Sequence, residues 1–149
     1  MLAGHVSAEL VSGNLYLSGD SEANEVYISD GYGNRRIIVF DATTGAYKRH
    51  WGAYGAKPDD GPMPSYNPSA PPSKQFNTMH CVIVSKDGFV YACDRVNDRI
   101  QVFRKDGTFV KEQRIDPKTY RSGAVWDMTF SRDPEQTYIY QANGVDEKI

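Results

Sequence analysis

The apolar positions of this chain come in short runs cut by turn residues, and nowhere in a long helical stripe. His80-Cys81-Val82-Ile83-Val84 is an apolar run stopped by Ser85-Lys86-Asp87-Gly88, a tight-turn sequence. Phe89 to Cys93 predicts a second strand. Arg99 to Arg104 alternates, with Ile100 and Val102 on one face, and predicts a third. Lys105-Asp106-Gly107 turns the chain again, and Thr108 to Arg114 makes the fourth. Four strands of about five residues joined by Gly/Asp turns form an antiparallel meander. No segment keeps an apolar period of about 3.6 residues over three turns, so no helix longer than a turn or two is expected.

The meander recurs. Val26-Tyr27-Ile28-Ser29-Asp30 aligns with Val90-Tyr91-Ala92-Cys93-Asp94. With one residue inserted in the first turn, Asn34 then meets Asn97, Arg36-Ile37 meets Arg99-Ile100, and Val39-Phe40 meets Val102-Phe103. A third copy opens at Tyr138-Ile139-Tyr140, where Asn143 takes the Asp place, Lys148 the Arg place and Ile149 the Ile place. A four-stranded sheet cannot cover both its faces alone and must stack on its neighbours. The fold class is therefore all-β, a partial β-propeller of about three four-stranded antiparallel blades. The expected layout is a single domain over 1–149, with blade one at about 12–54, blade two at about 76–116 and an incomplete blade three at about 122–149. The stretch 56–74 carries six prolines and reads as a loop between blades. It is either a spacer or a binding element on the propeller face.

The recurring Asp and Asn suit the turn between second and third strands, where short polar side chains bond backbone N–H groups and tolerate left-handed conformations. The recurring Arg or Lys is expected to pair with the Asp of its own or the next blade. Repeated residues at repeated positions serve the scaffold, so Asp30 and Asp94 are read as structural rather than catalytic.

Composition narrows the partners. A net charge of −2 with scattered Lys and Arg offers nucleic acid or anionic membranes no attraction, and no apolar run is long enough to span a bilayer. Met1-Leu2-Ala3-Gly4-His5 lacks the basic start and apolar stretch of a signal peptide, so a cytoplasmic location is expected for the chain as written. Cys81 and Cys93 fall nearly opposite each other across the hairpin at Asp87. A disulfide is permitted there, but free buried thiols are the expectation in a reducing compartment. Asp59-Asp60-Gly61 is too sparse for a calcium loop, and Asp30-Gly31-Tyr32-Gly33-Asn34 has no following helix to make a phosphate site.

The phrase Tyr-x-x-Asp-x-x-Asn-x-Arg-Ile-x-Val-Phe-x-x-x-Gly at 91–107 resembles the NHL repeat of six-bladed propellers. Val26 to Gly52, Gln75-Phe76-Asn77-Thr78-Met79-His80 and the second blade together resemble the lyase domain of peptidylglycine α-amidating enzymes and their uncharacterised bacterial relatives. The likeness covers residues 24–116 well and 117–149 loosely. Whether the wider family is exported stays open. It implies a zinc in the central channel, held by His residues at the start of innermost strands. Here only His80 falls on such a position; Tyr16 occupies the equivalent place in blade one and Trp126 in blade three. A catalytic zinc takes three protein ligands and a water, so one His departs from the family's site.

Tyr16, Met79, His80, Trp126 and Asp127 are thus the candidate channel-lining residues, and His80 is the candidate ligand for a divalent metal, zinc or calcium. His50 reads as a surface residue of an outer strand and His5 as part of a weak N-terminal strand. The function expected is a non-catalytic binding or interaction propeller that recognises a small molecule or protein. The alternative is a metal-dependent lyase or hydrolase, with a Tyr or Asp as general base. Three blades are half of the family's ring, so a two-fold homodimer is expected to close it, bringing two His80 side chains face to face, with Gly4–Val11 of the partner lending a strand.

Overall fold

The computed structural model describes residues 16–149. The expected strand Gly4–Val11 and His5 lie outside the described residues. Among the described residues three antiparallel sheets follow one another along the chain, with no closed barrel, as in a partial β-propeller. The first sheet runs β1 (Tyr16–Asp20), β2 (Glu25–Asp30), β3 (Arg36–Asp41) and β4 (Tyr47–Trp51) in simple meander order. The second runs β5 (Met79–Val84), β6 (Phe89–Asp94), β7 (Arg99–Arg104) and β8 (Phe109–Arg114) in the same order. The third has β9 (Asp127–Phe130) and β10 (Ile139–Ala142), extended by a single bridge between Asn143 and Lys148. The only helical element among the described residues is one 3-10 turn at Ala53–Gly55.

Strand alternation explains how the sheets stack. In the second sheet, Val82, Val90, Ala92 and Phe103 point to the first sheet and meet Tyr27, Ile37, Val39 and Trp51 in one core. Alternate residues Cys81, Cys93 and Ile100 point the other way, onto Ala124, Val125 and Met128. Both faces of this sheet are buried, which is why β7 reads as a nearly continuous buried strand. Each fully buried side chain of this size contributes about 1.5–3 kcal/mol.

The expectation of free thiols is corrected. Cys81 and Cys93 are direct partners across the β5–β6 ladder, with Cα atoms 4.8 Å apart, and their sulfurs are bonded. Facing positions on one side of a hairpin bring Cβ atoms within disulfide reach. Among the described residues no cysteine is free.

The repeat residues pair within their own sheets. The Arg36 Nε donates to Asp30 Oδ2 at 2.8 Å, and Arg99 Nε donates to Asp94 Oδ2 at 2.6 Å. Asn34 and Asn97 each donate to the same oxygen of their Asp at 2.8 Å. In the third copy the partners are exchanged: Asn143 Nδ2 donates to Asp146 Oδ2 at 2.9 Å, with Asp146 at the Asn place. Lys148, at the Arg place, keeps its Nζ 4.0 Å from that carboxylate.

A second ion cluster, built on the buried Glu25 and reaching the surface at Lys48, ties β2 to β4. Arg49 grips Glu25 with two bonds of 2.7 and 2.6 Å, Lys48 lies at 2.6 Å, and the Tyr27 hydroxyl donates to it at 2.6 Å. Arg49 also donates to the Lys105 carbonyl at 2.8 Å, and Lys105 pairs with Asp20 at 2.5 Å, so the cluster bridges the first two sheets.

The Arg49 guanidinium, working against burial, holds the Glu25 carboxyl down to about 2 from an ordinary 4.5. Because the native value is the lower one, this group stabilises the fold fully above pH 4.5 and loses its contribution as the pH falls toward 2. Urea unfolding should show on the order of 3 kcal/mol more stability for the wild type than for Glu25→Gln at pH 7, with the gap closing by about pH 2. A gap that does not change with pH contradicts the assignment.

Candidate functional site

One edge of the sheets gathers the turns between second and third strands together with the connections that enter each new sheet. The second-to-third turns are 31–35, 95–98 and 143–147; the entries are 52–78 and 115–126. In a meander these two kinds of connection fall on the same edge. His80, the second residue of β5, sits at this edge in a ring of aromatic side chains.

Its neighbours come from all three sheets. The Tyr16 ring from β1 lies 4.5 Å from the imidazole between centroids, Trp126 just before β9 at 5.6 Å, and Tyr32 from the β2–β3 turn at 5.9 Å. Arg95, from the β6–β7 turn, places its guanidinium 4.6 Å from the Trp126 ring and 5.8 Å from the Tyr32 ring, the geometry of a cation held between two π faces. One of its terminal nitrogens reaches the Tyr32 hydroxyl at 3.4 Å, while its Nε is buried with no hydrogen-bond partner among the described residues.

The imidazole is fully engaged. His80 Nδ1 lies 2.5 Å from the Trp126 carbonyl, which can only accept, so Nδ1 carries the proton. Nε2 is then an acceptor and faces the Tyr16 hydroxyl at 3.4 Å. Burial pushes the His80 pKa below its ordinary 6.5, with the Arg95 charge adding to the effect and the Trp126 carbonyl opposing it. Burial thus favours the neutral imidazole.

Two glycines let this ring close. A Cβ on Gly31 would sit 2.0 Å from the Met79 carbonyl oxygen, so only glycine lets the β2–β3 turn lie against the start of β5. A Cβ on Gly144 would be 2.6 Å from Cδ2 of Trp126, so the third turn is pressed onto the indole. Thr78, immediately before β5, holds a φ of 57°, an unusual value for a β-branched residue. The carbonyl groups of Asn77 and Thr78 accept from Val96 and Arg95, which fixes the strained entry to His80.

The five candidates from sequence therefore separate. Tyr16, His80 and Trp126 come together. Met79 is 1% exposed and packs in the core between the first two sheets, and it does not join the ring. Asp127 is exposed and accepts from the N–H of its neighbour Met128 at 2.8 Å, while its charge still acts on His80, opposing the effect of burial. His50 is exposed on β4, with its ring nitrogen 2.8 Å from the Tyr47 hydroxyl. Tyr32 and Arg95 were missed. The signal for Arg95 was a departure from the repeat, since Gly31, Arg95 and Gly144 occupy one turn position and only the second copy fills it with a cation.

The zinc implied by the lyase resemblance does not fit these residues. His80 has no further ligands beside it: among the described residues no group of three His, Cys, Asp or Glu side chains could hold a metal ion. What the ring offers instead is flat aromatic surface beside a guanidinium. Imidazole titration followed by NMR should give a His80 midpoint below 6.5. In Arg95→Ala it should move upward, because a repelling charge has gone. A midpoint at or above 6.5 in the wild type contradicts this geometry.

No family model matches the chain. Among solved structures it is similar to a presumed exported protein from Bacteroides fragilis, with 14% sequence identity and a TM-score of 0.45. The match covers 95% of this chain and 42% of that one, so the chain spans less than half the length of that protein.

Proposed function

We propose that this chain is a non-catalytic binding module, an NHL-type propeller segment that takes a ligand against the Tyr16–Tyr32–His80–Arg95–Trp126 ring. The observation that supports this reading best is Arg95, a half-buried guanidinium between two rings with its Nε unpartnered. A buried unpaired donor is costly, and an anion from a ligand would relieve it. Tyr32 is 44% exposed, which leaves a rim on which an apolar or planar part of the ligand can rest. The repeated carboxylate of the second sheet, Asp94, is committed to its Arg and Asn partners, which supports a scaffold role for it rather than a catalytic one.

Benzoate, a flat carboxylate, is a suitable probe. The two indole N–H signals separate the sites, since Trp51 lies in the core and Trp126 in the ring. Benzoate should shift the Trp126 signal and leave that of Trp51 in place. Arg95→Ala should weaken the effect about tenfold, the loss of one charge-assisted contact. A Trp126 signal that ignores benzoate and other aromatic carboxylates counts against the reading. Purified protein carrying one equivalent of zinc that His80→Ala loses would restore the lyase reading.

The disulfide extends the proposal to location. A buried cross-strand bond between Cys81 and Cys93 forms and persists in an oxidising compartment, so we place the working protein outside the reducing cytoplasm. Protein isolated from its native source with thiols blocked at lysis should show no free thiol under denaturing conditions. Two reactive thiols would return it to the cytoplasm.

A further inference from the structure

The proline-rich connection between the first two sheets is bound down along its length. Arg35 donates to the Gly61 and Phe76 carbonyls at 3.0 and 3.1 Å, holding both ends of the segment from the first sheet. Asp59 N–H bonds Gln75 Oε1 at 3.0 Å, closing the base. The Tyr66 hydroxyl donates to the Pro117 carbonyl at 2.9 Å, and Arg114 donates to the Pro68 carbonyl at 3.3 Å, so the far end rests on the second sheet and its exit. Connections this long without secondary structure are uncommon in compact domains unless they are functional or disordered. This one is pinned.

Beneath it lies a cavity of about 320 Å³, within the range of small-molecule sites. Its walls are largely apolar, from residues such as Pro64, Tyr66 and Pro71, and its charged lining is all of one sign: Lys74, Arg99 and Arg114, with no Asp or Glu. The three cations differ. Arg99 is spent, since it is 1% exposed and bonds Asp94, the Tyr54 hydroxyl and the Gln75 carbonyl, with Glu112 at 3.4 Å. Lys74 only stacks over Tyr54, 4.9 Å from the ring, and Arg114 holds only the Pro68 carbonyl. Among the described residues neither has a carboxylate within ion-pair distance. Two uncompensated cations at an apolar pocket stiffened by prolines form a preorganised receptor for a negative head on an apolar body.

We propose that this cavity is a second ligand site, separate from the aromatic ring, that binds a small amphipathic anion such as a medium-chain carboxylate. The head lies between Lys74 and Arg114, and the apolar body lies along Pro64, Tyr66 and Pro71. The site does not depend on Arg95, and a ring that failed to bind benzoate would leave it standing.

The test uses the fluorescent anion 8-anilinonaphthalene-1-sulfonate on the full chain carrying Arg95→Ala, so that the aromatic ring does not compete for this planar anion, with octanoate as competitor. A saturable one-site signal is expected, displaced by octanoate but not by octanol at equal concentration. Lys74→Ala and Arg114→Ala should each raise the octanoate Kd about tenfold. Both side chains reach the surface, so thermal melting should be little changed, and each variant checks the other. Unchanged affinity in both variants overturns the proposal, as does displacement by octanol as strong as by octanoate. Displacement by inorganic phosphate alone overturns the apolar half and leaves a simple anion site.

Discussion

Asp94 is cut off from water, and its carboxylate is held there by a side chain that is equally buried. Taking such a pair out of water costs several kcal/mol per ion, and the cost is offset only when nearly every lone pair and N–H has a partner. Here they do. Asp94 accepts from Arg99, from the Asn97 amide and from the Asn77 backbone N–H at 2.7 Å, and Arg99 goes on to the Gln75 carbonyl and the Tyr54 hydroxyl. This one unit fastens the β6–β7 turn to the segment that leads into β5. It therefore joins the end of the proline connection to the sheet that follows. The first sheet has the same unit at Asp30, and the third keeps the hydrogen bond with donor and acceptor exchanged between Asn143 and Asp146.

The consequence for function is positional. The turn that the pair fastens carries Arg95 toward the aromatic ring, and Asn97 and Arg99 toward the floor of the proline cavity. A rigid turn can thus present different chemistry on its two sides without moving. Scaffold and recognition are divided along the sequence in a simple way. Residues that repeat hold the sheets, and a residue that breaks the repeat at the same turn, Arg95, faces the aromatic ring.

That division also explains what could be read from the chain. Strands and turns were legible because alternation and Asp-Gly signals are local, and the Asp–Arg pairing because its members recur in both full copies, six and five residues apart. Counting repeats put Tyr16, His80 and Trp126 at equivalent places, and their ring contacts are seen only in the fold. Met79 was misplaced because the register shift between Met79 and Cys81 in β5 breaks the alternation that would have assigned its side. The disulfide was within reach of sequence geometry, but a compartment inferred from the N-terminus outweighed it. Tyr32 and Arg95 meet only through the folding of two turns from different sheets, and no periodicity within one copy announces such a contact. The cavity was invisible for a related reason. A run of prolines shows that a loop is stiff, while its path over Arg99 and Arg114 depends on bonds from Arg35, Tyr66 and Gln75.

The account stands on the buried pair acting as one unit, and a double-mutant cycle measures that directly. Asp94→Ala, Arg99→Ala and the double variant are compared by urea unfolding at pH 7. Either single change leaves a buried partner unpaired, so each should cost about 3–5 kcal/mol, and the double change should cost much less than their sum, with a coupling of at least about 2 kcal/mol. Additive costs, with a coupling below about 0.5 kcal/mol, would mean that the turn is held by something else.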